Sequence, residues 1–328
     1  MLTKLNESKQ AGLISEILGL VNDPADLLKA KLSGQLHWIK SSATDYRVKP
    51  ETWVLKAQLG TVEKLQHLMT QSGLEQDLSL IALARNIFEN LIWLKLFNED
   101  KNYGLIFYRH LLQQQLDSQL QVIEKAREEI DLFKRLAIED VLDFDLLLPL
   151  IDVSTTEEEK ALLVSDFIRE HSERIDLKAR SVFSIYADQA KCNGYAYQAH
   201  LIESQVIPHH QEHINTINDH MDELLSSMPM DISPTLKAEL FKKNPHWNWR
   251  CHASSLGMES QYKFLYALTS RLLHSTSMSL ATPAELSPQE KFLLLDYLCL
   301  SIKGLCEEIQ KFEYVGKMNT IRFPSKAE

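Results

Sequence analysis

The stretch LEQDLSLIALARNIFENLIWLKLF, residues 74–97, decides the fold because it is the longest apolar helical pattern in the chain. Its polar residues lie at scattered positions rather than along one face, which is typical of a helix packed on most sides. The polar sequence NEDKNYG, residues 98–104, ends the pattern. We therefore expect a central helix here, surrounded by other helices.

The composition of the rest of the chain also favours helices. Its 328 residues include only 10 Gly and 10 Pro, so turns are few. Helical patterns follow at about residues 104–137, 259–278 and 288–312. We predict an all-α protein, in which a multi-helix bundle of residues 73–328 follows an N-terminal helical extension of residues 1–72.

Prolines and capping residues predict where these helices begin and end. Pro24 and Pro50 each disfavour helix in the residue before them, so we expect the extension to be broken at both. Pro208 either kinks a helix or starts a new one. Helix starts are predicted within STTEEEK (154–160), at Ser233–Pro234 and at SPQE (287–290), where a capping box is also expected. Residues 226–234 read as a linker, and residues 244–257 as an irregular aromatic loop.

Charge and motifs exclude several classes of protein. The formal net charge of -10 argues against a broad basic face for DNA. The chain lacks the glycine motifs GxGxxG, GxxxxGK[ST] and GxSxG, which removes most nucleotide-binding and hydrolase folds. It also lacks a CxxC pair and an apolar run of about 20 residues. We expect a cytoplasmic protein that is not bound to a membrane.

Arg85 and Glu89 form the first group that could carry chemistry. On a helical wheel Arg85 projects among the apolar residues Ile81, Phe88 and Ile92. A buried guanidinium needs a partner, and Glu89 is one turn away. The pair is either a structural ion pair that fixes helix register or part of a functional site.

The stretch SRLLHSTSMSL, residues 270–280, is the second group. His274 shares a helix face with Ser270 and other small residues, with Arg271 at its edge, whereas the leucines occupy the opposite face. A His beside an Arg could handle a phosphate or a hydroxyl proton. The alternative is a solvated helix face that carries an ordinary His.

Two further groups favour structural roles. His209, His213 and His220 share a sector of one helix, and the first two have a spacing that can share zinc. His220 lies about 10 Å further along the axis, so we expect no metal there. In HWNWRCH, residues 246–252, the two tryptophans could stack on bases, but we favour their filling a gap between helices.

Two segments together resemble a known bacterial family. ALARNIFENLIWLKLF (82–97) and YKFLYALTSRLLHSTSM (262–278) are similar to the family catalogued as domain of unknown function 5677, over about residues 74–280. The shared pattern is an early helix with Arg and Glu, and a late helix with Tyr, a small hydroxyl residue and His. The matching positions in this chain are Arg85, Glu89, Tyr266, Ser270 and His274.

The same pattern is distantly similar to the HEPN superfamily, helical bundles that are often dimeric ribonucleases in toxin and antiviral systems. Those enzymes typically carry an Arg and a His on one helix with four to six residues between them, whereas only two residues lie between Arg271 and His274. Arg85 from the central helix could supply the missing cation. The resemblance implies an RNA substrate and association with a second copy or a partner protein.

We therefore expect a metal-independent RNA-cleaving effector in bacterial stress or phage defence, with no cofactor. His274 would move the proton of a ribose hydroxyl, Arg85 and Arg271 would stabilise the phosphate, and Glu89 would orient Arg85. Tyr266 and Ser270 complete the candidate site. The alternative is a non-catalytic interaction or scaffold protein, in which Arg85, Glu89 and His274 form a buried polar network.

Overall fold

The computed structural model describes residues 2–142, 156–242, 247–273, 285–312 and 314. Over these residues the chain is helical and contains no strand, which confirms the all-α class. The helices are α1 (Leu2–Ser42), α2 (Pro50–Leu68), α3 (Gln71–Glu75), α4 (Asp77–Glu99), α5 (Tyr103–Leu142), α6 (Glu157–Ser181), α7 (Ala187–Asn193), α8 (Tyr195–Leu201), α9 (Ile207–Ser226), α10 (Pro234–Leu240), α11 (Trp249–Ser255), α12 (Glu259–Leu273) and α13 (Pro288–Lys311).

The chain forms two compact units. The terminal unit consists of Met1–His110 together with Glu223–Glu328, and the middle unit consists of Leu111–Asp222. The chain leaves the terminal unit within α5 and returns to it within α9. The extension expected at residues 1–72 lies wholly within the terminal unit, and its being a separate part of the protein stays a prediction.

Helix α4 is the centre of the terminal unit, as its apolar pattern predicts. It contacts α2, α3, α11, α12 and α13. Its buried side chains are apolar and lie on more than one side of the helix, which is why no single hydrophobic stripe marks it in the sequence. They are Leu80, Ile81, Leu83, Ala84, Ile87, Phe88, Leu91, Ile92, Leu94, Leu96 and Phe97.

The expected break at Pro24 is wrong, because α1 continues through it from Leu2 to Ser42. A proline inside a helix removes one backbone hydrogen bond and costs about 3 kcal/mol. Packing offsets this cost, since Val21 before the proline and Leu28 after it are both buried in the same core. The break at Pro50 is confirmed: α2 begins there, after the extended residue Lys49.

The capping predictions are confirmed. The Thr156 hydroxyl caps α6 and the Ser287 hydroxyl caps α13, each in a capping box with the Glu three residues later. Ser233 accepts a hydrogen bond from the backbone N–H of Leu236 at 3.3 Å at the start of α10. These caps fix the points at which the helices leave the linkers.

The structure differs from the sequence predictions in residues 244–257 and adds detail before Pro208. Residues 244–257 are not an irregular loop throughout, because α11 forms within them, capped by the Asn248 side chain on the N–H of Cys251 at 3.1 Å. Before Pro208, residues Ile202–Val206 form a π-helical segment between α8 and α9. A proline has no N–H to donate, and this irregular turn accommodates the missing bond without ending the helix.

Candidate functional site

Arg85 and Glu89 form the ion pair that the sequence predicts. The Arg85 Nε–H donates to Glu89 Oε1 at 2.9 Å, one turn further along α4. The side chains are 33% and 28% exposed, so the pair is half-buried rather than sealed in the core as expected. The reason is its place at the edge of the buried surface of α4: Ile81 and Phe88 are buried, but Leu78 on the same side is half exposed.

Tyr266 of α12 lies against this pair. The Arg85 guanidinium carbon is 5.3 Å from the centre of the Tyr266 ring, within the range of a cation–π contact. Tyr266 in turn stacks on Tyr262, with ring centres 5.6 Å apart. Burial, and then the neighbouring Tyr266, raise the pKa of the Tyr262 hydroxyl, whereas Tyr266 is 47% exposed.

The structure therefore brings together three of the six candidate residues, namely Arg85, Glu89 and Tyr266. Ser270 lies one turn beyond Tyr266 on α12 and is half-buried. Arg271 belongs to the last turn of α12, but its side chain lies outside the described residues, as does the whole of His274. The leucines opposite this face behave as expected, since Leu265 and Leu268 are buried.

A charged cluster at the start of α12 is not among the sites predicted from the sequence. Glu259 accepts hydrogen bonds from Arg250 Nη2 at 3.1 Å and pairs with Lys263 Nζ at 2.9 Å. Hydrogen bonds from Lys263 and then Arg250 hold the pKa of the Glu259 carboxyl below its ordinary value. The spacing of Glu259 and Lys263 is the available signal, since oppositely charged residues four apart pair on a helix. The cluster ties α11 to the start of α12.

The tryptophans of HWNWRCH fill a gap between helices, as favoured. The Trp247 ring stacks between Trp93 and His252, with 3.8 Å between ring centres on each side. Trp249 meets Trp93 edge to face. Burial lowers the pKa of the His252 imidazole. With both faces of Trp247 covered, its ring is not open to a nucleic-acid base.

The histidine cluster of α9 lies in the middle unit. The rings of His209 and His213 are 4.4 Å apart, and His210 Nδ1 is hydrogen-bonded to Gln119 Oε1 at 2.6 Å. Within the part of the chain that the structure describes, no group of three His, Cys, Asp or Glu residues is arranged to hold a metal ion. The absence of a native metal in the protein stays a prediction.

Comparison of the chain with protein families, curated proteins and solved structures finds no match. The resemblances to domain of unknown function 5677 and to the HEPN superfamily thus stay predictions. None of the helices in the described residues is both long enough and apolar enough to cross a bilayer.

Proposed function

We propose that this protein is a metal-independent RNA-cleaving effector of bacterial stress or phage defence, and that it acts at the surface formed by Arg85, Glu89 and Tyr266. The observation that carries the proposal is the state of the Arg85 guanidinium. Only its Nε–H is engaged, by Glu89, and neither Nη group has an acceptor among the described residues.

An arginine presents five N–H donors in a planar fork that matches the oxygens of a phosphate. Glu89 fixes the plane of this fork from one side, and Tyr266 packs against it. A third of the Arg85 side chain is exposed, so an anion can reach it from solvent. The arrangement is typical of a phosphate-binding arginine rather than of a saturated structural pair.

In this proposal His274 acts as the base. It would take the proton from a ribose 2′-hydroxyl, whose oxygen attacks the neighbouring phosphorus while the bond to the 5′ oxygen breaks and that oxygen takes a proton from water. Arg85 and Arg271 would stabilise the charge that develops on the phosphate oxygens. Tyr266, Ser270 and His274 are spaced four residues apart in the sequence, which favours a common helix face.

A second candidate function is a non-catalytic interaction protein, which associates with a second copy or another protein. The net charge of -10 favours it, because RNA must approach an acidic molecule. Large apolar side chains exposed in the middle unit also favour it, among them Phe183, which is 88% exposed. The openness of the Arg85–Glu89 pair weighs against the sealed polar network of this alternative.

The test measures cleavage of single-stranded RNA by the purified full chain, with melting temperature recorded on the same preparations. We expect His274→Ala to lower the rate by about 100-fold or more, and Arg85→Ala by a similar factor, with small changes in melting temperature. Glu89→Gln should lower the rate less, about 10-fold, because it weakens only the orientation of Arg85.

Arg169→Ala is the matched control, since Arg169 forms an exposed ion pair with Asp166 on α6 in the middle unit. Its cleavage rate should stay within about twofold of wild type. Wild-type protein that leaves several RNA substrates intact, combined with a destabilised His274→Ala variant, would contradict the nuclease proposal and favour the interaction protein.

A further inference from the structure

A groove without charged residues lies beside the Arg85–Glu89 pair. It has a volume of about 520 Å³ and is formed by the end of α2, by α3 and by α4. This volume lies within the usual range for small-ligand sites, about 300–1,000 Å³. The residues that line it include His67, Thr70, Gln76, Ser79, Ala82 and Asn86.

The lining is polar but uncharged. Among the described residues, no Asp, Glu, Lys or Arg lines the groove, although 24% of the chain consists of these residues. Hydroxyl, amide and imidazole groups line it instead, together with the buried side chain of Leu83. Such a surface suits a flat, uncharged ligand with hydrogen-bonding edges better than it suits a phosphate or a carboxylate.

Two amide groups in the groove keep donors free. The Asn86 Oδ1 accepts from Asn90 Nδ2 at 3.0 Å, and the Gln76 Oε1 accepts from the Ser79 hydroxyl at 3.4 Å. In the described part of the chain, neither the Asn86 nor the Gln76 side-chain nitrogen has an acceptor. Because both carbonyl oxygens already accept a hydrogen bond, the two nitrogens are the groups available to donate to a ligand.

The groove and the arginine fork share one helix. Asn86 follows Arg85 directly and is turned from it by about 100° around α4. Ser79, further into the groove, lies about 9 Å from Arg85 along the axis, at 1.5 Å per residue. A ligand that extends from the groove across Asn86 to the neighbouring helix position would reach both the groove and the fork.

We infer that the groove binds a nucleobase of single-stranded RNA, next to the phosphate that Arg85 contacts. The inference rests on the proposed function, which supplies the RNA. Unpaired bases present carbonyl and ring-nitrogen acceptors at their edges, and side-chain amides are common partners for them. The amides of Asn86 and Gln76 donate to the base, and Leu83 contacts its apolar face.

The test uses fluorescence anisotropy with a 2′-O-methyl single-stranded oligonucleotide, which has no free hydroxyl to attack and stays intact. A second oligonucleotide of the same length carries abasic sites in place of the bases. We expect wild-type protein to bind the base-bearing strand at least about 10-fold more tightly than the abasic one, because the abasic strand lacks the base edges to which the amides donate.

Ala82→Phe fills the groove from an exposed position on α4, and Ala30→Phe is the matched control at an exposed position on α1. Ala82→Phe should bind both strands with the affinity that wild type has for the abasic one, whereas Ala30→Phe should match wild type. Asn86→Ala, which leaves space in the groove, should lose part of the preference for bases.

The outcomes separate the two proposals. If Arg85→Ala weakens binding of both strands but Ala82→Phe keeps the full preference for bases, the groove inference fails and the phosphate site at Arg85 stands. Wild-type protein that binds neither strand contradicts both. Loss of the base preference in Ala82→Phe alone supports the groove as the base site.

Discussion

Two carboxylates at α4 differ in burial and in their number of hydrogen-bond donors, one on α4 itself and one on α13. Glu308 of α13 is 7% exposed and accepts hydrogen bonds from Lys95 at 3.1 Å, from Asn98 at 2.7 Å and from Lys311 at 2.9 Å. Glu89, on the open side of α4, has one described partner, Arg85, and the pair is half-buried. Both are ion pairs by distance, but only the first is saturated.

This difference predicts a structural role for Glu308 and agrees with the binding role proposed for Arg85. A buried carboxylate with three donors stabilises the packing of α13 on α4, and removing it leaves buried donors without a partner. An arginine with unused donors at the surface contributes little to stability and remains available to a ligand. The following changes test whether the two pairs behave as differently as their surroundings indicate.

The largest effect on stability is expected for Glu308→Ala, which should lower the free energy of unfolding by about 2 kcal/mol. Urea denaturation measures it, with Glu307→Ala at the neighbouring exposed position as the control. Burial raises the pKa of Glu308, but hydrogen bonds from Lys311, Asn98 and Lys95 outweigh burial and leave it below 4.5.

The contribution of Glu308 to stability should therefore be complete above about pH 4.5 and decline as the pH falls through the lowered pKa of the folded state. The difference between wild type and Glu308→Ala should shrink over the same range. A difference that grows towards acid, or a loss no larger than that of Glu307→Ala, would contradict the structural role.

Arg85→Ala should lower the free energy of unfolding by about 1 kcal/mol, well under the effect of Glu308→Ala, because the pair is a third exposed. Loss of the contact with the Tyr266 ring is included in this figure. Burial of the pair, as the sequence alone indicates, would instead give about 3 kcal/mol. Equilibrium denaturation distinguishes these values, and a loss of 3 kcal/mol would favour the sealed polar network.

A smaller effect concerns His252, which stacks on Trp247. Burial lowers its pKa from 6.5, with the charge of Glu239 acting in the opposite direction and that of Lys242 in the same one. The unfolded chain thus binds the proton first, and stability should fall as the pH drops below about 6.5. His252→Phe keeps a stacked ring and should reduce the loss of melting temperature between pH 7.5 and 5.5. An unchanged pH dependence would show that His252 does not contribute.

No effect at all is expected from chelation. Purified protein should contain less than one zinc ion per chain, and a chelator should leave both the melting temperature and RNA cleavage unchanged. The cluster of His209, His213 and His220 would then be a surface feature of α9. Metal analysis that finds one tightly held ion per chain would overturn this expectation.

The sequence predicts the fold better than the surroundings of the site, for physical reasons. Helix starts depend on local chemistry, and the caps at Thr156, Ser233 and Ser287 follow from a few adjacent residues. The continuity of α1 through Pro24 depends instead on buried residues on both sides of the proline. The local sequence does not show whether packing will be strong enough to offset the cost of a proline inside a helix.

The same limit applies to the candidate site. The spacing of Arg85 and Glu89 predicts their pairing, but their exposure depends on how α12 covers α4, which a helical wheel does not contain. Contacts between distant segments, such as Arg85 with Tyr266 or Glu308 with Asn98, have no signal in local spacing. The uncharged groove is formed by three helices, so it also becomes visible only in the folded chain.

The proposed division between the open Arg85–Glu89 pair and the saturated Glu308 is tested by RNA cleavage of wild type, Arg85→Lys and Glu308→Ala, each at a temperature where the protein is folded. We expect Arg85→Lys, which keeps the charge but loses the planar fork, to cleave at least about 10-fold more slowly, because lysine cannot hold a phosphate through two parallel bonds. Glu308→Ala should retain nearly the wild-type rate despite its lower stability. Full activity in Arg85→Lys together with lost activity in Glu308→Ala would contradict the assignment of binding to the open pair and of stability to the saturated one.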